Sequence, residues 1–273
     1  MPSTEHPFLD PARIRGDLYV QPDRLASRTR ALLSARIEGT PVVDVLARLL
    51  RDGLTVPLHQ ARMLDVGCGR GTTSRALTEL GPAALVALDL SPALAATTRA
   101  RLPRGRPCAA LSADFHRLPF GNRTFDAAVA AFCLYHSPDP ATAMAETNRC
   151  LSEDGLFIAV TKSADSYNEL DQLLTDLSLL SDDTGRPSLY SSVHSANIAD
   201  IAAPVLDVRQ LLHERHVFRF DTPEHLAQYL VTTPKYPFAG TAGELARELR
   251  RRGCSTPIEA SSAVTYLVGG PRG

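Results

Sequence analysis

Residues 64–74 read Leu-Asp-Val-Gly-Cys-Gly-Arg-Gly-Thr-Thr-Ser, an apolar run ending in three glycines at alternate positions, Gly67, Gly69 and Gly71. Glycine permits a tight turn there and lets a ligand approach the backbone with no Cβ in the way. The N–H groups at the start of the helix that follows suit a negatively charged or electron-rich ligand. The spacing separates this loop from two others with the same logic. A dinucleotide-binding loop has its third glycine one position later, where this chain has Thr72, and a P-loop needs a Gly-Lys-Ser/Thr triplet that is missing. Asp89, at the end of the next apolar run, is either a helix-capping residue or an acceptor for both ribose hydroxyls of an adenosine. His136, just past the fourth run, is the best candidate to take a proton from a hydroxyl near neutral pH; its other role would be to shape a pocket.

The remaining chemistry-bearing residues are weaker signals. His116 is expected to be exposed, and His194 falls in a polar, turn-rich stretch at 181–197 that could lie over or beside a site. His213 and His216 sit three positions apart on one strand-like run, hence on opposite faces, and make no ready metal pair. The five cysteines are scattered and odd in number, with no CxxC pair, so neither a disulfide framework nor a zinc site is expected. There is no Ser-His-Asp order and no pair of carboxylates that demands a role.

These residues need a scaffold, and the pattern of elements supplies one. A helical stretch over about 23–38 and another from Thr40-Pro41 to Asp52-Gly53 open the chain. Short apolar runs then alternate with helices: 61–66, 85–90, a weaker run at 107–111, 126–132 and 155–160 read as five strands. Helices are expected between them, with Ser91-Pro92 capping one, and further helices over 139–151 and 166–180. Alternation of this kind implies right-handed crossovers and a mostly parallel sheet. The last third changes character, with strands at 208–220 and 261–269 flanking helical segments near 223–231 and 242–252.

Composition excludes several function classes. With 29 basic and 30 acidic residues the formal net charge is −1, which gives no electrostatic footprint for nucleic acid. Arg247 and Arg250–Arg252 form a local basic run that reads as a solvated helix end. No apolar run approaches the roughly 18 residues that span a bilayer. The opening residues resemble no signal peptide, and the thiols fit a reducing compartment. The expectation is a cytoplasmic protein, monomer or homodimer, without membrane or nucleic-acid partners.

LDVGCGRGTTSRAL, ALDLSPALA, ADFHRLPFGNRTFDAAVAAFCLYH and RCLSEDGLFIAV together resemble the successive motifs of class I S-adenosylmethionine-dependent methyltransferases, continuously over about 61–161. The pair Leu118-Pro119-Phe120 and Phe125-Asp126 is similar to the small-molecule (methyltransferase type 11, UbiE-like) branch. The resemblance implies an α/β, Rossmann-like sheet of seven mostly parallel strands, the last antiparallel, with helices on both faces. A helical lid segment over 1–60 would precede an S-adenosylmethionine-binding domain over 61–273, whose helical insertion at about 221–255 would complete the lid.

The same resemblance assigns roles. Gly67, Cys68, Gly69 and Gly71 would line the methionine part of the cofactor, with Asp65 helping to fix its ammonium. Asp89 and Leu90 would meet the ribose, and Asp114 would accept from the adenine amino group beside the Phe115 backbone. Ala131 and Phe132 would pass under the sulfonium, while Tyr19 and Arg28 would close over the carboxylate. His136 would face the acceptor. The chain has Phe132-Cys133-Leu134-Tyr135 where many amino-group methylators have an Asn/Asp-Pro-Pro-aromatic motif, so O- or C-methylation of a small molecule is favoured, with natural-product biosynthesis the expected context. Two other readings use the same fold: a cyclisation or rearrangement exploiting the bound sulfonium, and a non-catalytic, methyltransferase-like binding subunit.

Overall fold

The structure, a computed structural model, describes residues 8–14, 22–180, 188–236 and 238–272. The chain opens with α1 (Pro11–Arg13), α2 (Pro22–Ala35), β1 (Arg36–Glu38) and α3 (Val42–Gly53). The alternating region follows as β2 (Arg62–Val66), α4 (Thr72–Glu79), β3 (Ala84–Asp89), α5 (Pro92–Arg101), β4 (Cys108–Ser112), β5 (Phe125–Ala131), α6 (Pro140–Arg149) and β6 (Leu151–Lys162). The last third comprises α7 (Asn168–Asp176), α8 (Ile198–Ala202), β7 (Asp207–Phe220), α9 (Pro223–Leu230), α10 (Ala242–Arg251) and β8 (Ile258–Gly270).

The strands form one sheet in the order β1-β7-β8-β6-β5-β2-β3-β4. The five from β4 to β6 are parallel, whereas β8 runs antiparallel to both β6 and β7, as expected for the final strand. The sheet has eight strands among the described residues, not seven. The extra one is β1, taken from the end of the first predicted helix, where Arg36 and Glu38 pair with Phe218 and Val217. The helix stops there because Gly39, at φ 94°, turns against the His216 ring, which a Cβ would meet at 2.5 Å. That turn leaves the three preceding residues along the unfilled edge of β7.

Alternation along the strands feeds two apolar layers. Met63, Ala127, Leu156 and Ile158 face α3 and α4 through Leu46, Leu50 and Leu77. Leu64, Ala128, Phe157 and Ala159 face α6 and α8 through Met144 and Ile198. A third cluster joins α2, α7, α9 and α10 to the ends of β7 and β8, through Ala31, Leu170, Leu226, Leu249, Phe220 and Ala260. The helix starts carry their own signals: Ser91 and Thr222 accept from Leu94 and His225 N–H before a proline, and Thr241 with Glu244 forms a capping box.

The chain winds outward from β2 through β3 to β4, then returns to build β5 and β6 on its other side. The strand order therefore reverses between β2 and β5. In open α/β sheets, ligands bind at the carboxyl ends of the strands beside such a reversal.

Candidate active site

The glycine loop leaves β2 at that reversal. Gly67, Gly69 and Gly71 all lie in the left-handed region, at φ 66°, 56° and 79°. Each is required for a different reason. A Cβ on Gly67 would sit 2.4 Å from Cys133 Cβ, and one on Gly71 would meet Thr98 Oγ1 at 2.9 Å, so these two allow β5 and α5 to pack against the loop. A Cβ on Gly69 would meet only Leu25 Cδ2, at 3.7 Å, because this residue faces open space. The loop is tied down by its neighbours: Cys68 N–H donates to the Leu88 carbonyl at 2.8 Å, and the Thr98 hydroxyl donates to the Gly69 carbonyl at 2.9 Å.

Asp89 ends β3 facing this loop. Its Oδ2 accepts the Gly69 N–H at 2.8 Å and its Oδ1 accepts the Ser91 N–H at 2.9 Å. Two carboxylate oxygens offer about four acceptor positions, so these bonds leave capacity for a ligand's hydroxyls. Burial raises its carboxyl above the usual carboxylate range, against the pull of the two N–H donors. Asp114, past β4, accepts through Oδ1 from the His116 N–H at 2.9 Å and lies 2.8 Å from His116 Nδ1, while His116 Nε2 lies 2.7 Å from the Ser137 hydroxyl. His116 is thus a half-buried link between two segments of the site, not the exposed residue that its local sequence suggests.

Across the reversal, Phe132 follows β5 at φ 57°, an uncommon conformation for a bulky residue, and its N–H donates to the Val160 carbonyl at 2.9 Å. A single 3-10 turn, Leu134–His136, then brings His136 to the mouth. Its Nδ1 lies 2.9 Å from the Phe8 carbonyl, which can only accept, so Nδ1 carries the proton and Nε2 the lone pair of the neutral ring.

Every expected site residue that the structure describes lines one cavity of about 460 Å³, except Asp65 and Gly71. Tyr19 lies outside the described residues. Gly71 serves packing against Thr98. Asp65 is buried behind the loop, where its Oδ2 accepts the Ser74 hydroxyl and its Oδ1 has no hydrogen-bond partner. Burial pushes its carboxyl up to about 7, and the Asp89 charge adds to that rise, while the Ser74 hydroxyl opposes it. Of the elements expected to form the lid, α2 (Leu25, Arg28) and the start of α3 line the cavity, whereas α9 and α10 do not; β7 (His216, Phe218) lines it as well.

Residues 64–159 match the family described as the methyltransferase domain. A malonyl-[acyl-carrier protein] O-methyltransferase of Halorhodospira halophila is 32% identical over 128 residues, 46% of this chain and 43% of that protein. A demethylmenaquinone methyltransferase of Clavibacter sepedonicus is 29% identical over 149 residues, 53% of this chain and 60% of that protein. The matched segments thus span less than two thirds of either relative. The crystal structure of the YcgJ protein of Bacillus subtilis superposes with a TM-score of 0.56 at 16% identity, over 85% of this chain and 98% of that one, a likeness of fold. This chain carries a class I S-adenosylmethionine-dependent methyltransferase domain of the small-molecule branch.

The methyltransferase domain fits its cofactor on its own geometry. The cavity volume lies within the roughly 300–1,000 Å³ of small-molecule sites. Gly69 presents backbone where a side chain would intrude, Asp89 and Asp114 offer acceptors for hydroxyl and amino groups, and Leu90 and Phe115 supply apolar faces. Among the described residues, no cluster of His, Cys, Asp and Glu could hold a metal ion.

Sequence reasoning missed Lys162. It ends β6 and lines the same cavity, with its Nζ 5.3 Å from the centroid of the Phe132 ring and 4.6 Å from that of Tyr167. The available signal was its place at the carboxyl end of a central strand, one turn of chain from the aromatic Tyr167, in a sequence whose other cations are nearly all arginine.

Proposed function

We propose that the protein transfers a methyl group from S-adenosylmethionine to a small-molecule acceptor, with O- or C-methylation favoured and natural-product biosynthesis as its context. The observation that carries this reading is the continuity of one cavity from Asp89 and Asp114, through Gly69 and Phe132, to His136 and Lys162. The bound cofactor supplies the electrophilic methyl group, so the protein's contribution is position, desolvation and proton handling. Asp89 holds the ribose, and Asp114 with the Phe115 backbone holds the adenine. The Gly67–Gly69 backbone runs beside the methionine moiety, and Arg28 closes over its carboxylate.

His136 removes the acceptor's hydroxyl proton through Nε2, its ring held in the required tautomer by the Phe8 carbonyl. The apolar residues around it, Leu32, Val42 and Phe218 among them, exclude water from the transfer. The balanced net charge favours a small metabolite over nucleic acid as acceptor. Among the described residues no helix is long and apolar enough to cross a membrane.

Calorimetric titration with S-adenosylmethionine and S-adenosylhomocysteine tests the reading. Saturable binding is expected, followed by methylated product in an acceptor screen. A folded wild type that binds neither molecule would overturn it.

A further inference from the structure

The carboxylates of the cavity lining sit at one end, beside Arg70 and His116, and the other end has cations alone. Among the described residues that line the cavity, the carboxylates are Asp89 and Asp114, both beside the carboxyl ends of β3 and β4. Toward β6 and β7 the ionisable lining is cationic or can become so: Arg28, Arg36, Lys162 and His216. Leu32, Val42, Phe218 and Val264 make the rest of that end apolar.

Lys162 lies between these groups, with its Nζ donating to the Tyr167 hydroxyl and lying over the faces of Phe132 and Tyr167. Aromatic faces favour the ammonium form, but among the described residues no carboxylate pairs with it. The charges that act on it are both cations, Arg28 from α2 and Lys235, and Lys235 is already held by Asp171 at 2.6 Å. Burial, and then these like charges, bring the Lys162 amine down to about 7. His216 shares this environment: burial and Lys162 lower it, Glu214 at 3.7 Å opposes them, and its buried Nε2 makes no hydrogen bond. A partly buried cation beside like charges is costly unless something brings the opposite charge.

We propose that Lys162 is the counter-ion of the methyl acceptor: this end of the cavity takes a molecule with an apolar body and one anionic oxygen, and seats that oxygen on the lysine ammonium. The proposal rests on the methyl-transfer reading and adds the substrate class to it. A phenolate, an enolate and a carboxylate share the required chemistry, and this oxygen is distinct from the hydroxyl whose proton His136 removes. With the cofactor's carboxylate answering Arg28, the acceptor's oxyanion supplies the charge still missing at Lys162, where water is scarce and the attraction is correspondingly strong. Binding favours the ammonium, so near neutral pH the site takes up a proton from solution as the anion enters.

Lys162 and Lys235 are the only lysines in the chain, which makes the test specific. S-adenosylhomocysteine is titrated first; its failure to bind folded wild type sinks the methyl-transfer reading without touching the cation site. 4-Nitrophenolate and benzoate are then titrated by calorimetry in buffers of different ionisation enthalpy, with uncharged 4-nitroanisole as control. At least one anion should bind with proton uptake, and the two arms tell phenolate from carboxylate. Lys162→Met should weaken that binding by about tenfold or more and abolish the uptake, while Lys162→Arg keeps the binding and loses the uptake. Isotope-labelled dimethyl-lysine resonances should show one lysine, absent in Lys162→Arg, titrating near neutrality and shifting upward with the anion. S-adenosylhomocysteine affinity verifies that each variant folds. Binding of neither anion, equal binding of the anion and 4-nitroanisole, or anion binding unchanged in Lys162→Met would overturn the proposal.

Discussion

The Asp89 carboxylate accepts the Gly69 N–H at 2.8 Å, so the acid on β3 that faces the cavity also fixes the one loop glycine whose Cβ position is open. One side chain thereby holds the shape of the site and offers acceptors to a ligand. Asp89→Ala should lower S-adenosylhomocysteine affinity by about 100-fold, through loss of a charge-assisted acceptor and loosening of the loop. It should also cost about 1–3 kcal/mol of stability, because the Gly69 and Ser91 N–H groups lose their partner. Calorimetry and denaturant unfolding read the two effects separately. Unchanged affinity would show that Asp89 is only a cap.

Asp65 makes the stability of the unliganded protein depend on pH. Its carboxyl is raised from an unfolded value of 3.8 to about 7 in the fold, chiefly by burial. Between those limits the folded state binds more protons than the unfolded state, so this group's contribution falls as pH rises and is most unfavourable above 7. A carboxyl raised from 3.8 to about 7 corresponds to at most about 4 kcal/mol. Asp65→Asn keeps an acceptor for the Ser74 hydroxyl and removes the titration. Its stability should exceed that of wild type increasingly from pH 5.5 to 8 by urea unfolding; parallel profiles would refute the assignment.

The parts of the site that were legible in the sequence are those carried by strand ends. The glycine loop, Asp89, Asp114 and Phe132 each follow an apolar run of the parallel sheet, so their place at one edge follows from the alternation of elements. The helices at 223–230 and 242–251 lie within the helical segments expected near 223–231 and 242–252. What escaped depends on contacts distant in sequence. β1 is three residues long and exists only because the edge of β7 is there to pair with it. Lys162 ends a strand like the others, yet its environment is made by Arg28 and Lys235, which come from opposite ends of the chain. The cavity wall uses β7 and leaves out α9 and α10, a choice set by tertiary packing in the cluster those helices share.

Two glycines of the loop should respond oppositely to the same substitution. Gly67→Ala places its Cβ 2.4 Å from Cys133 Cβ at φ 66°, and overpacking plus backbone strain should cost about 2–4 kcal/mol. Gly69→Ala, at φ 56° with 3.7 Å to its nearest neighbour, should cost only about 1–2 kcal/mol. Its added methyl group stands where the cofactor passes, so S-adenosylhomocysteine affinity should drop by about tenfold or more. Thermal unfolding beside calorimetry would show one variant failing chiefly in stability and the other chiefly in binding. A Gly69→Ala protein with wild-type affinity would place the cofactor elsewhere.

The bond from His136 Nδ1 to the Phe8 carbonyl, at 2.9 Å, fixes which ring nitrogen can accept a proton. A general base in this position contributes about 10²–10⁴-fold to the rate. His136→Ala should therefore lower kcat for the acceptor found by product screening by about that factor and leave S-adenosylhomocysteine affinity unchanged, since the cofactor contacts lie on other segments. His136→Gln can still donate an amide N–H to the Phe8 carbonyl but cannot take up a proton at neutral pH, so it should keep KM near wild type and lose kcat. A rise in KM with kcat intact would instead make His136 a wall of the acceptor pocket, and the proton would then leave by another group.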